Sequence, residues 1–462
     1  MVDDEILQKV MKKTLSNGGE YADIFIEQRR TTSIQLEDDR IEKVVMGSTA
    51  GIGIRLIYNG RTAYAYSNDF SEDVLLDIAY TVSKAASGSA KDLVIDMKRM
   101  SPEVTFLIKM PPDTVPISLK VDIVKKGNET ARKFNSMVKQ VNAVYRDSIQ
   151  RIKVFTSDGF IAEDERVHTT GMVQVIAIDG DIIQTGYEPA GGLIGYELFE
   201  KNPIDSVALK AAERAVKMLK ARRASVGRMP VVISSEAGGT MIHEAIGHGL
   251  EADLAQQGLS VYSKKIGQQV ASPVVTVIDD ATIPNMRGSF SFDDEGTPSK
   301  RNVLVKEGIL VGYMYDKYFA MLNNTTSTGN GRRESYEHKP IPRMTNTLIT
   351  PGNLPPEGII KSVPDGLFVK KMGGGQVNTV TGDFVFEVLE GYVIENGSVG
   401  ELVRGATLIG NGPEVLKSID MVGSDIGFSI GTCGKDAQGV PVSDGMPTLR
   451  IPEIVVGGEV GS

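Results

Sequence analysis

The chain contains 462 residues, which exceeds the size at which one hydrophobic core usually stops growing and predicts two domains of about 200 residues each. Hydrophobic residues make up 41% of the chain and charged residues 24%, a composition that is typical of folded globular proteins and excludes a disordered chain. A formal net charge of −9 disfavours a protein that works by gripping nucleic acid, because such binding depends on clustered lysine and arginine.

The first residues and the cysteine count bear on the cellular compartment. Residues 1–7, MVDDEIL, contain neither a basic segment nor an apolar one, so we expect no signal peptide, and no run of about 18 apolar residues suggests a membrane span. The single cysteine, Cys433, excludes an intramolecular disulfide and fits a reducing compartment. We predict a cytoplasmic protein with no membrane and no nucleic-acid partner.

The first half of the chain mixes helical and strand-like periodicity. Helical spacing occurs at residues 3–16, 71–88, 117–136 and 204–222, and strand-like alternation at 22–66 and 150–187. Asn59-Gly60 interrupts the first alternating stretch and is a strong hairpin signal. Because no regular strand–helix alternation runs through this half, we predict an α+β domain over residues 1–226, with a largely antiparallel sheet and flanking helices.

The second half is richer in glycine and proline and contains short apolar segments. Strands are predicted at residues 274–278, 302–305, 367–369, 383–389 and 392–394. The segment 224–230 has the composition of a crossing between domains. We therefore predict a β-dominated C-terminal domain over residues 227–462, carrying a metal-binding helix at 237–254.

The segment His243-Glu244-Ala245-Ile246-Gly247-His248 is the most informative in the chain and holds two of its four histidines. Two histidines with a glutamate beside the first form the arrangement that a catalytic zinc needs, since neutral imidazoles bind the metal and the carboxylate accepts a proton from the attacking water. The alternative is that both are ordinary, partly buried histidines. The low chance of this spacing among four histidines favours the metal site.

The spacing is one residue longer than in the usual zincin helix. At ~100° per residue, positions five apart on a regular α-helix lie ~140° apart, so the imidazoles would not converge on one metal. A π-type turn or a helix end near Gly247 restores convergence. We predict such a distortion, with Gly247 and Gly249 supplying backbone freedom.

A catalytic zinc generally takes three protein ligands, so one more must come from elsewhere. The candidates are Cys433, His168, His338, Glu251 and Asp253. Neighbouring glycines and Lys435 favour a reactive thiolate at Cys433, although a lone cysteine is also commonly a small buried hydrophobe. For Glu251 and Asp253 we prefer the role of orienting a ligand imidazole, with plain solvation as the alternative.

Several blocks in order resemble the TldD/PmbA family of metalloproteases, and the resemblance covers most of the chain. The blocks are residues 243–253 (HEAIGHGLEAD), 292–298 (FDDEGTP), 328–333 (TGNGRR), 342–347 (PRMTNT), 373–377 (GGGQV), and the stretch from Cys433-Gly434-Lys435 to Pro441-Val442-Ser443. Because the His-Glu-x-x-x-His motif is retained, the chain resembles the catalytic TldD type. The resemblance implies one Zn²⁺ bound by His243, His248 and Cys433, with Glu244 as the catalytic base.

The resemblance also implies an assembly and a substrate class. Family members of this type pair with a PmbA/TldE-like subunit, and the partner here is such a subunit or a second copy of the chain. The implied substrates are short or unfolded peptides in extended form. The expected reaction is hydrolysis of a peptide bond, in which Glu244 takes the proton of water and passes it to the leaving amine.

The residues that stabilise the oxyanion are harder to predict. Arg333, Tyr336 and His338 are candidates in a glycine-rich, charged stretch, whose alternative interpretation is a polar surface loop. The run around Gly374 would allow an extended peptide to approach backbone to backbone, and a tight turn or a bulge explains it equally well.

Two other functions remain open from sequence. One is a non-catalytic regulatory or binding partner, in line with the description of family members as modulators of DNA gyrase. The other is a metal-dependent hydrolase of a non-peptide amide, for which the same ligands would serve. Metal content separates the regulator from both enzymes, and a peptide screen separates the two hydrolases.

Overall fold

The computed structural model describes residues 2–89 and 97–458 and has the predicted α+β architecture. The first half contains α1 (Asp4–Thr14), β1 (Tyr21–Glu37), β2 (Arg40–Tyr58), β3 (Arg61–Ser67), α2 (Glu72–Ser83), β4 (Lys98–Arg99), α3 (Ile117–Phe134), β5 (Val138–Thr156), β6 (Phe160–Asp179), β7 (Ile182–Leu193), α4 (Leu198–Lys201), α5 (Ile204–Met218) and β8 (Arg222–Arg223). All four predicted helices are present, and α5 ends four residues earlier than expected.

The first sheet is largely antiparallel, as predicted, with strand order β3-β2-β1-β5-β6 and with β4 and β7 both paired to β6. Even-numbered residues of β1, such as Ile24 and Ile34, pack against the helices. Because neighbouring side chains in a strand point to opposite faces, odd-numbered residues such as Phe25 and Glu27 face the other way, toward the second half of the chain. There Phe25 packs against Tyr336.

The hairpin predicted at Asn59-Gly60 is confirmed. β2 and β3 pair in antiparallel register with Tyr58 opposite Arg61, which leaves these two residues as the turn. Both have positive φ, 47° and 63°. Asparagine and glycine tolerate this left-handed conformation, which a two-residue hairpin of this kind requires at both positions.

The second half contains β9 (Gly227–Ile233), α6 (Thr240–Ile242), α7 (Ala252–Gln256), β10 (Val277–Asp280), β11 (Arg301–Lys306), β12 (Ile309–Leu310), α8 (Lys317–Leu322), β13 (Gly331–Arg332), β14 (Ile341–Pro342), β15 (Asn346–Ile349), α9 (Pro356–Lys361), β16 (Asp365–Val377), β17 (Asp383–Glu395), β18 (Ser398–Arg404), β19 (Thr407–Asn411), α10 (Gly412–Ser418), β20 (Met421–Val422), β21 (Gly427–Lys435), β22 (Gln438–Met446) and β23 (Leu449–Gly457). Strands dominate this half, as predicted.

These strands form two further large sheets around the largest hydrophobic core. One has the order β16-β9-β23-β19-β17-β18-β8, and the other has the order β12-β11-β10-β15-β22-β21. The core fills with side chains from both sheets and from the helical segment at 240–250. The predicted metal-binding segment is therefore enclosed by the two sheets.

Two strand predictions for this half need adjustment, and one interpretation of the Gly374 run is supported. The strand expected at 274–278 is found at Val277–Asp280, and the two expected at 383–389 and 392–394 form the single strand β17. The Gly374 run lies within β16, where the register against β17 shifts between Met372 and Gly375. The bulge interpretation is thus confirmed for the conformation of this run.

The position of β8 bears on the predicted domain boundary. Arg222 and Arg223 precede residue 227, yet they pair with β18 in the sheet built from the second half of the chain. The division into residues 1–226 and 227–462 stays a prediction. Among the helices of residues 2–89 and 97–458, none combines the length and apolar character needed to cross a membrane.

Candidate metal centre

The segment that carries His243 and His248 is wound irregularly. A short α-helical turn over Thr240–Ile242 passes into a π turn over His243–Gly247 and then into a 3-10 turn over His248–Leu250. The N–H of His248 donates to the carbonyl of His243, five residues back. The predicted π distortion is confirmed, and it brings onto one side two histidines that a regular helix would hold ~140° apart.

The glycines of this segment serve close packing rather than an unusual backbone conformation. Gly247 has a φ of −53°, which any residue can adopt. A Cβ atom there would lie 2.2 Å from Sδ of Met344, and one on Gly249 would lie 2.6 Å from the Tyr262 ring. The expectation that these glycines supply backbone freedom was therefore wrong, and the reason for glycine is space.

The two histidines meet Cys433 of β21 in the interior. The imidazole centroids of His243 and His248 are 4.8 Å apart and the rings are nearly perpendicular, at 89°. Sγ of Cys433 lies 3.4 Å from Nε2 of His248. One ligand atom from each of the three residues falls within 4.8 Å of the others, the spacing of a group that can hold one metal ion.

Each imidazole is held by a carboxylate through its other ring nitrogen. Nδ1 of His243 lies 2.7 Å from Oδ1 of Asp444, and Nδ1 of His248 lies 2.9 Å from Oε2 of Glu251. Such carboxylates fix the ring orientation and leave Nε2 free for a metal. Glu251 was expected in this position; Asp444 was missed, since only the pairing of β22 with β21 brings it to the cluster.

Glu251 is fully buried at the centre of a charged network. Nζ of Lys435 lies 3.1 Å from its Oε2, and Nε of Arg343 lies 3.9 Å from its Oε1. Burial would raise the pKa of Glu251, but the charges of Lys435 and His248 outweigh it and lower the pKa to about 2. Asp253 contacts Lys435, 2.8 Å away, so it acts on the cluster through this lysine.

The same electrostatics favour a thiolate beside two imidazolium rings when no metal is bound. Burial would raise the pKa of Cys433, but hydrogen bonds from His243 and His248 lower it to about 5. Burial lowers the pKa of His248, whereas the Glu251 charge and the Cys433 sulfur raise it to about 9. The pKa of His243 rises well above its usual value because the Asp444 carboxylate outweighs burial.

Glu244 is half-buried beside this cluster. Its pKa is raised, first by burial and then by the negative charge of Cys433, against the lowering effect of the two histidines. A carboxylate whose pKa is shifted toward neutrality is suited to accept and return a proton near neutral pH.

The donor set fits zinc. Catalytic zinc takes three protein ligands from cysteine, histidine and carboxylate side chains and keeps the fourth position open for water or substrate, and two imidazole nitrogens with one thiolate are such a set. The carboxylates on the far ring nitrogens complete the arrangement that such sites use. The other third-ligand candidates contact different groups: Nε2 of His168 lies 3.0 Å from the carbonyl of Arg287, and Nδ1 of His338 lies 3.1 Å from the hydroxyl of Ser335.

The oxyanion candidates contact other parts of the molecule. The guanidinium of Arg333 donates to the Asp294 carbonyl at 2.8 Å and to the Tyr64 hydroxyl at 3.2 Å. The backbone N–H of Tyr336 donates to Glu27 of the first sheet at 2.9 Å. Their contacts tie the 331–338 segment to the first sheet.

Gly374 is exposed, with no atom within 4 Å of where its Cβ would stand. A role for it, or for Arg333, Tyr336 or His338, at the reacting bond stays a prediction.

Comparisons with known proteins agree over most of the chain. Three family models match: PmbA/TldA metallopeptidase domain 1 at residues 22–89, the central domain at 111–219 and the C-terminal domain at 226–458. A metalloprotease TldD homologue of Haemophilus influenzae is 38% identical over 448 residues, covering 95% of this chain and 93% of the relative.

Two solved structures share the fold. A protein of Thermotoga maritima, described as a candidate modulator of a DNA gyrase, superposes with a TM-score of 0.81 at 20% identity, covering 98% of this chain and all of that one. TldE of Thermococcus kodakarensis superposes with a TM-score of 0.76 at 18% identity, covering 98% of this chain and 99% of that one. Together with the three family models and the relative at 38% identity, these structures show that the chain belongs to the PmbA/TldD family of metallopeptidases.

Proposed function

We propose that this metallopeptidase is a zinc enzyme that hydrolyses short or unfolded peptides, with His243, His248 and Cys433 as the metal ligands and Glu244 as the general base. The observation that carries the proposal is the convergence of the three ligand atoms within 4.8 Å, beside a half-buried glutamate. When bound, zinc would supply Lewis acidity toward the scissile carbonyl and would make water easier to deprotonate.

The other side chains of the site orient the ligands, transfer protons and compensate buried charge. Asp444 and Glu251 orient the two imidazoles, which keeps both Nε2 atoms directed at one point. Glu244 accepts the proton of the attacking water and returns it to the leaving amine, a role that its raised pKa supports. Lys435 and Arg343 compensate the buried charge of Glu251.

A PmbA/TldE-like subunit, or a second copy of this chain, is the partner in this proposal. Support comes from the similarity in fold to TldE over nearly the full length of both chains. A cytoplasmic location is also part of the proposal, since a thiolate ligand must stay reduced and the chain has a single cysteine.

The decisive experiment combines metal analysis with peptide hydrolysis. Wild-type protein purified without chelators is expected to contain about one zinc per chain, because the three ligand atoms converge on a single position. The variants His248→Ala and Cys433→Ala are expected to lose both zinc and hydrolysis. Glu244→Gln is expected to keep zinc and to lose about 10²- to 10⁴-fold in kcat.

A matched control is Glu236→Gln, which makes the same substitution at an exposed glutamate paired only loosely with Lys370, 3.7 Å away. It is expected to leave zinc content and hydrolysis unchanged. Absence of zinc from the wild-type protein, even after reconstitution and with a TldE-like partner present, would refute the zinc peptidase. Zinc without cleavage of any peptide in a broad screen would favour a non-peptide amide substrate.

A further inference from the structure

A cavity of about 330 Å³ lies where the first sheet meets the second half of the chain. The first sheet contributes residues of β1, β5 and β6, and the second half contributes the loop around Arg287, the segment 332–334 and the hairpin β21–β22. Six arginines line it, against three acidic residues: Arg29, Arg146, Arg166, Arg287, Arg332 and Arg333 against Asp147, Asp294 and Glu334.

The three acidic residues already have partners. Asp294 accepts from Nη1 of Arg166 at 2.7 Å. Asp147 accepts from Nζ of Lys120 at 2.6 Å, and Glu334 accepts from the backbone N–H of Gly439 at 2.6 Å. Asp294 and Asp147 are thus each paired with a cation, and three acidic residues against six arginines leave the cavity lining with a net positive charge.

Three of the arginines lack an anionic partner among the described residues. Arg287 donates to the Gly431 carbonyl and to the Thr170 hydroxyl, both at 3.1 Å. Arg332 donates to two backbone carbonyls, at 2.6 and 2.7 Å, and Arg146 forms no ion pair within residues 2–89 and 97–458. All of these acceptors are neutral.

The excess charge is partly buried. Only 4% of Arg332 is exposed. Burial, with the charges of Arg166 and Arg343, outweighs the opposing charge of Asp294 and lowers the pKa of Arg332 to about 10. Burial and the charge of Arg146 likewise lower the pKa of Arg287. In addition, Nε of the fully buried Arg333 has no hydrogen-bond partner in the described structure. Guanidinium groups so placed are stabilised by an anion that accepts from several of them at once.

The cavity shares a wall with the candidate metal centre. Thr432, which lines the cavity, directly precedes Cys433 in β21, and neighbouring side chains of a strand point to opposite faces. Arg287 donates to the carbonyl of Gly431, and its backbone N–H donates to the hydroxyl of Ser443, the residue before Asp444. An anion bound here would thus contact the hairpin that holds one ligand and one orienting carboxylate of the metal centre.

We propose that this cavity binds a carboxylate of the peptide substrate, with Arg146, Arg287 and Arg332 as its main contacts. The proposal rests on the peptidase function proposed above. A carboxylate matches the planar fork of the guanidinium groups, and every unblocked peptide carries one at its C-terminus. Acidic side chains are the second source. The site would give the enzyme a preference for peptides with a free C-terminus or with an acidic residue at a defined distance from the cleaved bond.

Binding is best measured in the Glu244→Gln background, which is designed to remove hydrolysis while leaving all metal ligands in place. Four probes would be compared by isothermal titration calorimetry: N-acetyl-tetraalanine with a free carboxylate, its C-terminal amide, and two amidated tetrapeptides that differ by glutamate against glutamine at the third residue. We expect at least one acidic probe to bind about tenfold or more tightly than its neutral counterpart, the effect of losing a charge-assisted hydrogen bond.

Arg146→Gln and Arg287→Gln are expected to abolish this preference. Because Arg146 is exposed, its variant tests the site without a folding risk. Arg228→Gln, which removes an exposed arginine outside the cavity, is expected to keep the preference. Equal binding of acidic and neutral probes, or a preference that survives in both cavity variants, would overturn the proposal. Binding of inorganic phosphate but of no acidic probe would also overturn it, in favour of a phosphate-bearing ligand.

The outcomes separate this inference from the proposed function. A carboxylate preference in binding, together with a wild-type protein that cleaves no peptide, would refute the peptidase and leave the anion site in place. Hydrolysis of the free-acid and amide peptides with equal kcat/KM, together with equal binding, would refute the carboxylate site and leave the peptidase in place.

Discussion

The two faces of the hairpin β21–β22 differ in whether their buried charges are paired with charges of opposite sign. On the face of Cys433, each cationic group has an anionic neighbour: His243 meets Asp444, and Lys435 meets Glu251. On the face of Thr432, six arginines line a cavity with three acidic residues that are already engaged. A buried charge is costly unless it is paired, so the first face compensates its charges within the protein, whereas the second carries an excess of positive charge that would favour an anion.

The largest effect is expected from breaking the compensation on the first face. Glu251→Ala leaves His248 and Arg343 without their buried carboxylate, while Lys435 keeps Asp253. Removal of one member of a buried ion pair typically costs about 3–5 kcal/mol. We expect a loss of this size in the free energy of unfolding of the metal-free protein, measured by denaturation in urea. Glu236→Ala, at an exposed position, is the control and should change stability by about 0.5 kcal/mol or less. A cost below about 1 kcal/mol for Glu251→Ala would contradict the compensated network.

A milder change tests the orientation of His243. Asp444→Asn keeps the size of the side chain but removes the charge that holds Nδ1, and loss of such a contact usually weakens metal binding by about 10- to 100-fold. The zinc dissociation constant, measured by competition with a chromogenic chelator, is expected to rise accordingly. Asp436→Asn, at the exposed tip of the same hairpin, should leave it unchanged. Equal affinities in the two variants would exclude an orienting role for Asp444.

The charge state of the metal-free cluster makes zinc binding dependent on pH. The pKa of Cys433 is lowered to about 5, that of His248 is raised to about 9, and that of His243 is raised well above its usual value. In the metal-free protein at pH 7 we therefore expect the sulfur to be a thiolate and both imidazoles to be protonated. Zinc must displace these protons, so about two should be released per zinc, and the affinity should rise with pH.

Calorimetry in buffers of different ionisation enthalpy measures this proton release. The direction in which the stability of the metal-free fold changes with pH follows from the same pKa shifts. The raised pKa of His248 stabilises the metal-free fold fully below pH 6.5, and this contribution is lost as the pH rises through about 9. Proton uptake on binding, or no release at pH 7, would contradict the assigned charge states.

The smallest expected effect concerns the second face. Arg146→Gln removes one member of the uncompensated arginine group, so the ligand-free protein should gain about 0.5 kcal/mol or less in stability at low salt. High salt should abolish the gain, since the charge is exposed to solvent. Arg228→Gln removes the ion pair with Glu453 and should give no gain. Destabilisation by Arg146→Gln at low salt would argue against repulsion in the cavity.

Local sequence signals predicted much of the fold. The four longer helices of the first half, the hairpin at Asn59-Gly60 and the strand-rich second half follow from periodicity and turn chemistry, which act over a few residues. The strand predicted at 274–278 was displaced, because the segment's pairing with β11 and β15 determines where β10 begins. Pairing between strands distant in sequence lies outside the reach of local periodicity.

The sequence by itself determined the histidine pair, the glutamate between them and the need for a π turn, because the spacing of residues along one helix follows from helical geometry alone. Only the tertiary structure decided which carboxylates hold the imidazoles and where the arginines gather. Asp444 lies 201 residues from His243 in the chain, and the cavity joins strands of the first sheet to a hairpin near the C-terminus. Such neighbours are created by strand pairing and by the packing of sheets, which no local pattern encodes.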